Sequence, residues 1–153
     1  MSDLPRGSRE RMASSRGQAV LFAAALAYAG STAVSSYVAI RDDVPGEPFG
    51  IAPPFSVPVG VLVGWGAGIA APWIMPAGAL FAAYRARDGR PVPAAVASAI
   101  GCASIAGHLI EPVTRRPRSW TPATTAAITL TATSTASLAL AGFARYAVNK
   151  APR

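Results

Sequence analysis

Cysteine, histidine and lysine occur once each in this chain, as Cys102, His108 and Lys150. A lone cysteine excludes an intrachain disulfide framework and a thiolate metal site. A lone histidine excludes His-Glu-x-x-His and other paired-imidazole sites, so any metal would have to recruit carboxylates from distant loops. Neither a metal nor an organic cofactor is expected. The Gly-rich stretch 60–68 lacks the following Lys-Ser/Thr of a phosphate-binding loop, and no Ser-His-Asp spacing is recognisable. Charge is also scarce: 14% of the 153 residues are charged and 52% are hydrophobic. A soluble domain this small needs more polar surface to cover itself. Lipid is the solvent that the composition fits.

Thirteen of the fourteen basic residues are arginine, beside abundant Ala, Gly and Pro, a bias typical of GC-rich bacterial genomes. The net charge of +7 is compatible with nucleic acid in principle. However, the arginines stand in short clusters between apolar runs, which is the arrangement that flanks membrane spans. No nucleic-acid partner is expected.

Read in order, the chain resolves into an all-α, up-down bundle of four transmembrane helices. Residues 1–17 are polar and Arg-rich, and read as a disordered cytoplasmic tail. Spans follow at about 18–40, 59–84, 91–111 and 122–146, each long enough for the roughly 30 Å hydrocarbon core. Residues 147–153 form a C-terminal tail. Ala27-Tyr28-Ala29 before Gly30 also fits a signal-peptide cleavage site, but apolar character continues through Ile40, which favours an uncleaved span. The linker 41–58 carries five prolines and excludes a regular helix.

In the second span, Gly60, Gly64 and Gly68 fall four apart and predict a packing seam. Ala99, Ala103 and Gly107 of the third span have the same spacing and are the expected partner surface. Pro72 and Pro76 predict a kink that frees the carbonyls of Gly68 and Pro72. Ser119 or Thr121 can cap the fourth helix, with Pro122 at its first position. The Ser and Thr residues of that helix occur on all faces, which suits bonding back to their own backbone better than lining a pore.

With the N-terminus inside, ten basic residues lie on the inner side and four on the outer, so both termini are expected in the cytoplasm of a bacterial cell. The four outer ones are Arg41, Arg115, Arg116 and Arg118.

They neighbour the chain's least ordinary chemistry. His108 and Glu111 are three apart and share a helix face. Glu111 precedes Pro112, so it ends the helix at the pole where a carboxylate is unfavourable. Pro112 also cannot satisfy the His108 carbonyl. Residues that break local rules cluster at functional sites.

In the functional reading Glu111 and His108 are an acid/base pair, Arg115 or Arg116 clamps an anionic group, and Asp42, Asp43 and Glu47 complete the polar face. In the structural reading Glu111 is neutralised by Arg115 or Arg116, and the remaining arginines pair with those acids.

Two classes of function follow. The first is a small integral membrane protein that binds a lipid, a lipidic small molecule or a membrane-protein partner, with homo-oligomers possible. The second is a membrane-embedded enzyme acting on a lipidic or isoprenoid substrate. Transport through an oligomeric pore is disfavoured because no span carries a mid-membrane charge.

Overall fold

The computed structural model describes residues 6–151. Among them it contains five α-helices and no strand: α1 (Arg6–Arg41), α2 (Val57–Val63), α3 (Ile74–Arg85), α4 (Pro91–Ile110) and α5 (Pro122–Lys150). Three of these helices, α1, α4 and α5, are long and apolar enough to cross a membrane. Short 3-10 turns at Pro48–Gly50, Ala86–Asp88, Val113–Arg115 and Pro117–Ser119 join them.

The N-terminal boundary differs from expectation. Residues 6–17 are helical rather than a disordered tail, while residues 1–5 lie outside the described residues. This stretch has few helix breakers, so propensity allows α1 to extend backwards. Tertiary bonds then hold it in place. Gln18 donates to the Ala83 carbonyl of α3 at 2.7 Å, and Arg145 of α5 donates to the carbonyl and hydroxyl of Ser14, both at 3.1 Å. At the other terminus α5 continues to Lys150, so much of the expected C-terminal tail is also helical.

The larger correction concerns 59–84, which is not one helix. Gly64 adopts φ +99 and ends α2, and Gly66 at φ +86 continues the turn. Both values lie where a side chain is disfavoured and glycine is not. Ala67 and Ala70 then bond each other's backbone in a small bridge, and the Trp73 N–H reaches the Val61 carbonyl at 3.2 Å. The chain therefore loops out after α2 and returns beside it.

Pro72 precedes α3, and Pro76 falls within its first turn, where a missing N–H donor costs little. The two prolines set where a helix begins instead of kinking one. Gly60, Gly64 and Gly68 are accordingly not a helix-packing stripe. A Cβ at Gly60 would meet the Gly66 carbonyl at 2.8 Å, and one at Gly68 the Pro45 carbonyl at 2.7 Å.

The small-residue seam lies elsewhere, between α4 and α5. A Cβ on Gly101 would stand 2.6 Å from the Ala139 nitrogen, and one on Gly142 would stand 2.5 Å from the Ser98 nitrogen. Ala99 and Ala103 are exposed, and nothing lies within 4 Å of a Cβ at Gly107, so these three do not form the expected surface.

Hydroxyl groups hold α1 to its neighbours. Ser31 bonds Ser134 and Ser35 bonds Thr131, both at 2.6 Å, while Tyr28 bonds Ser104 of α4 at 2.7 Å. By contrast Thr125, Thr129, Thr133 and Ser137 face outwards and bond carbonyls one turn back in α5. The cap of α5 is as expected, with the Thr121 hydroxyl accepting from the Thr124 N–H.

Two ends of the bundle can thus be distinguished. The α3–α4 turn lies with the C-terminus of α5, since Asn149 donates to the Arg90 carbonyl at 3.1 Å. At the opposite end, the linker after α1 meets the C-terminus of α4.

Candidate functional site: the cleft at the end of α4

Helix α4 ends where the sequence says it must. Glu111 takes extended geometry (φ -74, ψ 131) ahead of Pro112. The carbonyls that Pro112 leaves exposed are not abandoned. The Thr114 hydroxyl sits within hydrogen-bonding reach of both the His108 and Glu111 carbonyls, and Arg115 donates to the Ile110 carbonyl at 2.8 Å. Trp120 donates its indole N–H to the Val113 carbonyl at 2.8 Å, fixing the following turn.

Glu111 is buried, 8% exposed. One carboxylate oxygen accepts the backbone N–H of Glu47 at 2.9 Å. One residue away, the Gly46 carbonyl accepts from the Trp65 indole at 2.9 Å. The linker after α1 is therefore clasped on one side by the end of α4 and on the other by the loop between α2 and α3. Burial pushes the Glu111 carboxyl above its ordinary range, and the like charge of Glu47 adds to this. The Glu47 N–H and the more distant charge of Arg115 act in the opposite direction.

Among the described residues no ion pair joins Glu111 to Arg115 or Arg116, and of the acids Asp42, Asp43 and Glu47 only Asp42 pairs with an outer arginine, its neighbour Arg41. Arg115 is engaged with a helix carbonyl, and Asp42 pairs with its neighbour Arg41 at 2.6 Å. Arg115 donates to a helix carbonyl and the Glu111 carboxylate accepts a backbone N–H, so backbone hydrogen bonds stand where the Glu111–arginine ion pair was expected. The physical reason is proximity: free helix carbonyls and an adjacent guanidinium are met before any distant charge.

His108 and Glu111 line one cleft of about 250 Å³ together with Ser104, Gly64, Trp65 and Met75. The imidazole Nε2 is buried and has no hydrogen-bond partner. On its other side His108 also borders a second groove of about 370 Å³, lined by Leu109, Arg115, Trp120 and Ile128. Asp42, Asp43 and Arg116 line neither cavity. Of the expected site residues, then, His108 and Glu111 share one cleft, Arg115 joins His108 at the second groove, and Asp42, Asp43 and Arg116 stand apart.

Trp65 and Ser104 line the cleft and the Glu47 N–H bonds Glu111, neighbours that sequence reasoning missed. Only Trp65 carried a signal, as an indole too deep in its span to be an interface anchor. No protein family, curated protein or solved structure matches this chain.

Proposed function

We propose that this chain is a small multi-pass membrane protein that binds an amphipathic, lipid-like molecule in the cleft beside His108 and Glu111. The observation that carries the reading is His108, whose imidazole Nε2 is buried and without a partner among the described residues, lining one cleft with a carboxylate that no cation pairs there. A buried polar atom without a partner is costly, and a ligand group at that position removes the cost. The rest of the lining is largely Ala, Gly, Pro, Met and Trp, which suits an apolar body. Among the described residues, Glu111 is the only one charged in its ordinary state that lines the cleft apart from the titratable His108, so the bound head group donates hydrogen bonds or is cationic. An anionic head group has no counter-charge there.

The membrane setting is supported by where large side chains lie. Leu26, Leu62, Phe81, Leu109, Leu140 and Phe143 are exposed, whereas the interior is mostly alanine and hydroxyl groups. That distribution suits lipid, where close packing holds helices together. In this reading the α2–α3 pair makes a fourth crossing. The chain leaves Glu47 at the α4 C-terminal end and reaches Arg90 at the α5 C-terminal end, so residues between them traverse the bundle as the α2–α3 pair. With basic residues concentrated at the terminal end, the cleft faces outwards from a bacterial cytoplasmic membrane.

An enzymatic reading rests on the shared cleft, since His108 and Glu111 together would serve proton transfer on a lipidic or isoprenoid substrate. The test is gentle detergent extraction followed by mass spectrometry of the molecules retained. Wild type should carry an amphipathic molecule that His108→Ala and Glu111→Gln both lose. A wild-type protein that carries nothing, or variants that retain the same molecule, would overturn the binding reading. A chemically altered product appearing only with wild type would favour the enzyme.

A further inference from the structure

The opposite end of the bundle carries a second cavity of different chemistry. Where α3 turns into α4, a groove of about 480 Å³ is lined by Phe81, Ala82, Arg85, Arg90, Val92 and Val96, among others. We propose that this groove holds an anionic phospholipid of the surrounding membrane, its phosphate between Arg85 and Arg90 and its acyl chains against Phe81, Val92 and Val96.

The polarity of the groove runs in one direction. Arg85 lies four residues after Phe81 on α3, and Arg90 lies at the start of α4, with Val92 and Val96 following. Residues four apart on a helix share a face, so on α3 Arg85 stands at the turn with Phe81 one turn deeper, and on α4 Val92 and Val96 share a face beyond Arg90 at the helix cap. A phospholipid presents that same order along the membrane normal. Phe81, Val92 and Val96 are 64%, 68% and 44% exposed, so the apolar wall is open to a ligand.

The charge at the rim is in excess. Residues 85–90 contain three arginines and one aspartate, leaving two positive charges uncompensated within the turn. Asp88 is shared between Arg85 and Arg87, each at 3.6 Å, and Arg87 also lies over the Tyr84 ring at 3.8 Å. Among the described residues Arg90 has no ion pair. Pro91 and Pro93 remove two backbone donors from the first turn of α4, so the guanidinium groups, not the helix end, carry the anion.

The experiment uses the full chain reconstituted in membranes of phosphatidylglycerol and phosphatidylcholine in equal amounts, extracted gently and weighed by native mass spectrometry. Wild type should retain phosphatidylglycerol in preference. Arg85→Gln with Arg90→Gln should lower that retention on the order of tenfold or more. Val96→Trp, which fills the groove and leaves the charges alone, should also lower it. Arg16→Gln with Arg118→Gln, exposed positions outside the groove, should leave it unchanged, and helicity measured on each variant confirms the fold. Three results would overturn the proposal: equal retention of both lipids by wild type, equal loss in the Arg16/Arg118 variant, or full retention in Val96→Trp. None of them bears on ligand binding at His108 and Glu111.

Discussion

Two glycine-bearing regions of this molecule each do the opposite of what their sequence pattern suggests. Residues 60–68 have glycine at every fourth position, the pattern of a close-packed helix pair, yet they end one helix and form a turn. In α4 and α5 the glycines are solitary, yet Gly101 and Gly142 are where two helices come within backbone contact. Spacing alone points the wrong way in both cases. The neighbourhood decides: prolines close after Gly68 make a continuous helix unfavourable, and glycine then permits the left-handed angles the turn requires.

Substitutions at these glycines should therefore rank by what the missing side chain would meet. Gly101→Leu and Gly142→Leu drive side-chain atoms into a neighbouring backbone that cannot yield. The expected loss is about 3 kcal/mol or more, read as a large fall in thermal midpoint or failure to accumulate. Gly64→Ala adds no clash, since nothing lies within 4 Å, but forces alanine to φ +99. About 1–2 kcal/mol is expected, together with weakened ligand retention, because this turn walls the cleft. Gly107→Ala, within α4 and facing open space, should be neutral or slightly stabilising. If Gly64→Ala is as harmless as Gly107→Ala, the turn does not exist as described.

Smaller effects sharpen the contrast between packing and hydrogen bonding. Ser31→Ala and Ser35→Ala each remove a bond between α1 and α5 and should cost about 0.6 kcal/mol apiece, reaching about 1–2 where a partner is left unsatisfied. Thr129→Ala, whose hydroxyl only bonds its own helix, should cost less than either.

Glu111 permits a test through pH. Its folded-state pKa is raised above the ordinary 4.5, so its contribution to stability is fully present in acid. That contribution is lost as pH rises through the folded value. The difference in stability between wild type and Glu111→Gln should accordingly move against wild type as pH rises from about 4.5, and become constant once the carboxyl has ionised. Glu111→Gln keeps an acceptor for the Glu47 N–H, whereas Glu111→Ala does not. Equal behaviour of the two variants would mean that the clasp on the linker contributes nothing.

The long apolar runs, the Thr121 cap, the stop at Pro112 and the shared face of His108 and Glu111 were all legible from sequence. Each depends on local rules that act within a few residues. The partners of Glu111 and Arg115 were not, because charge-pairing arguments take no account of nearby backbone groups. Arg115 meets the Ile110 carbonyl five residues away, and Glu111 meets the Glu47 N–H 64 residues earlier in the chain. Trp65 could be placed at the cleft only once the chain was known to double back at Gly64 and Gly66.

The return of the chain beside α2 is open to a direct check. The Trp73 N–H bonds the Val61 carbonyl at 3.2 Å, whereas an unbroken helix would separate those residues by about 18 Å. An NMR spectrum of the labelled protein in detergent or nanodiscs should show a through-space contact between the Trp73 amide and the Val61 backbone, with non-helical shifts across 64–72. Helical shifts throughout 59–84 and no such contact would contradict the broken segment, and with it the wall of the cleft around His108 and Glu111.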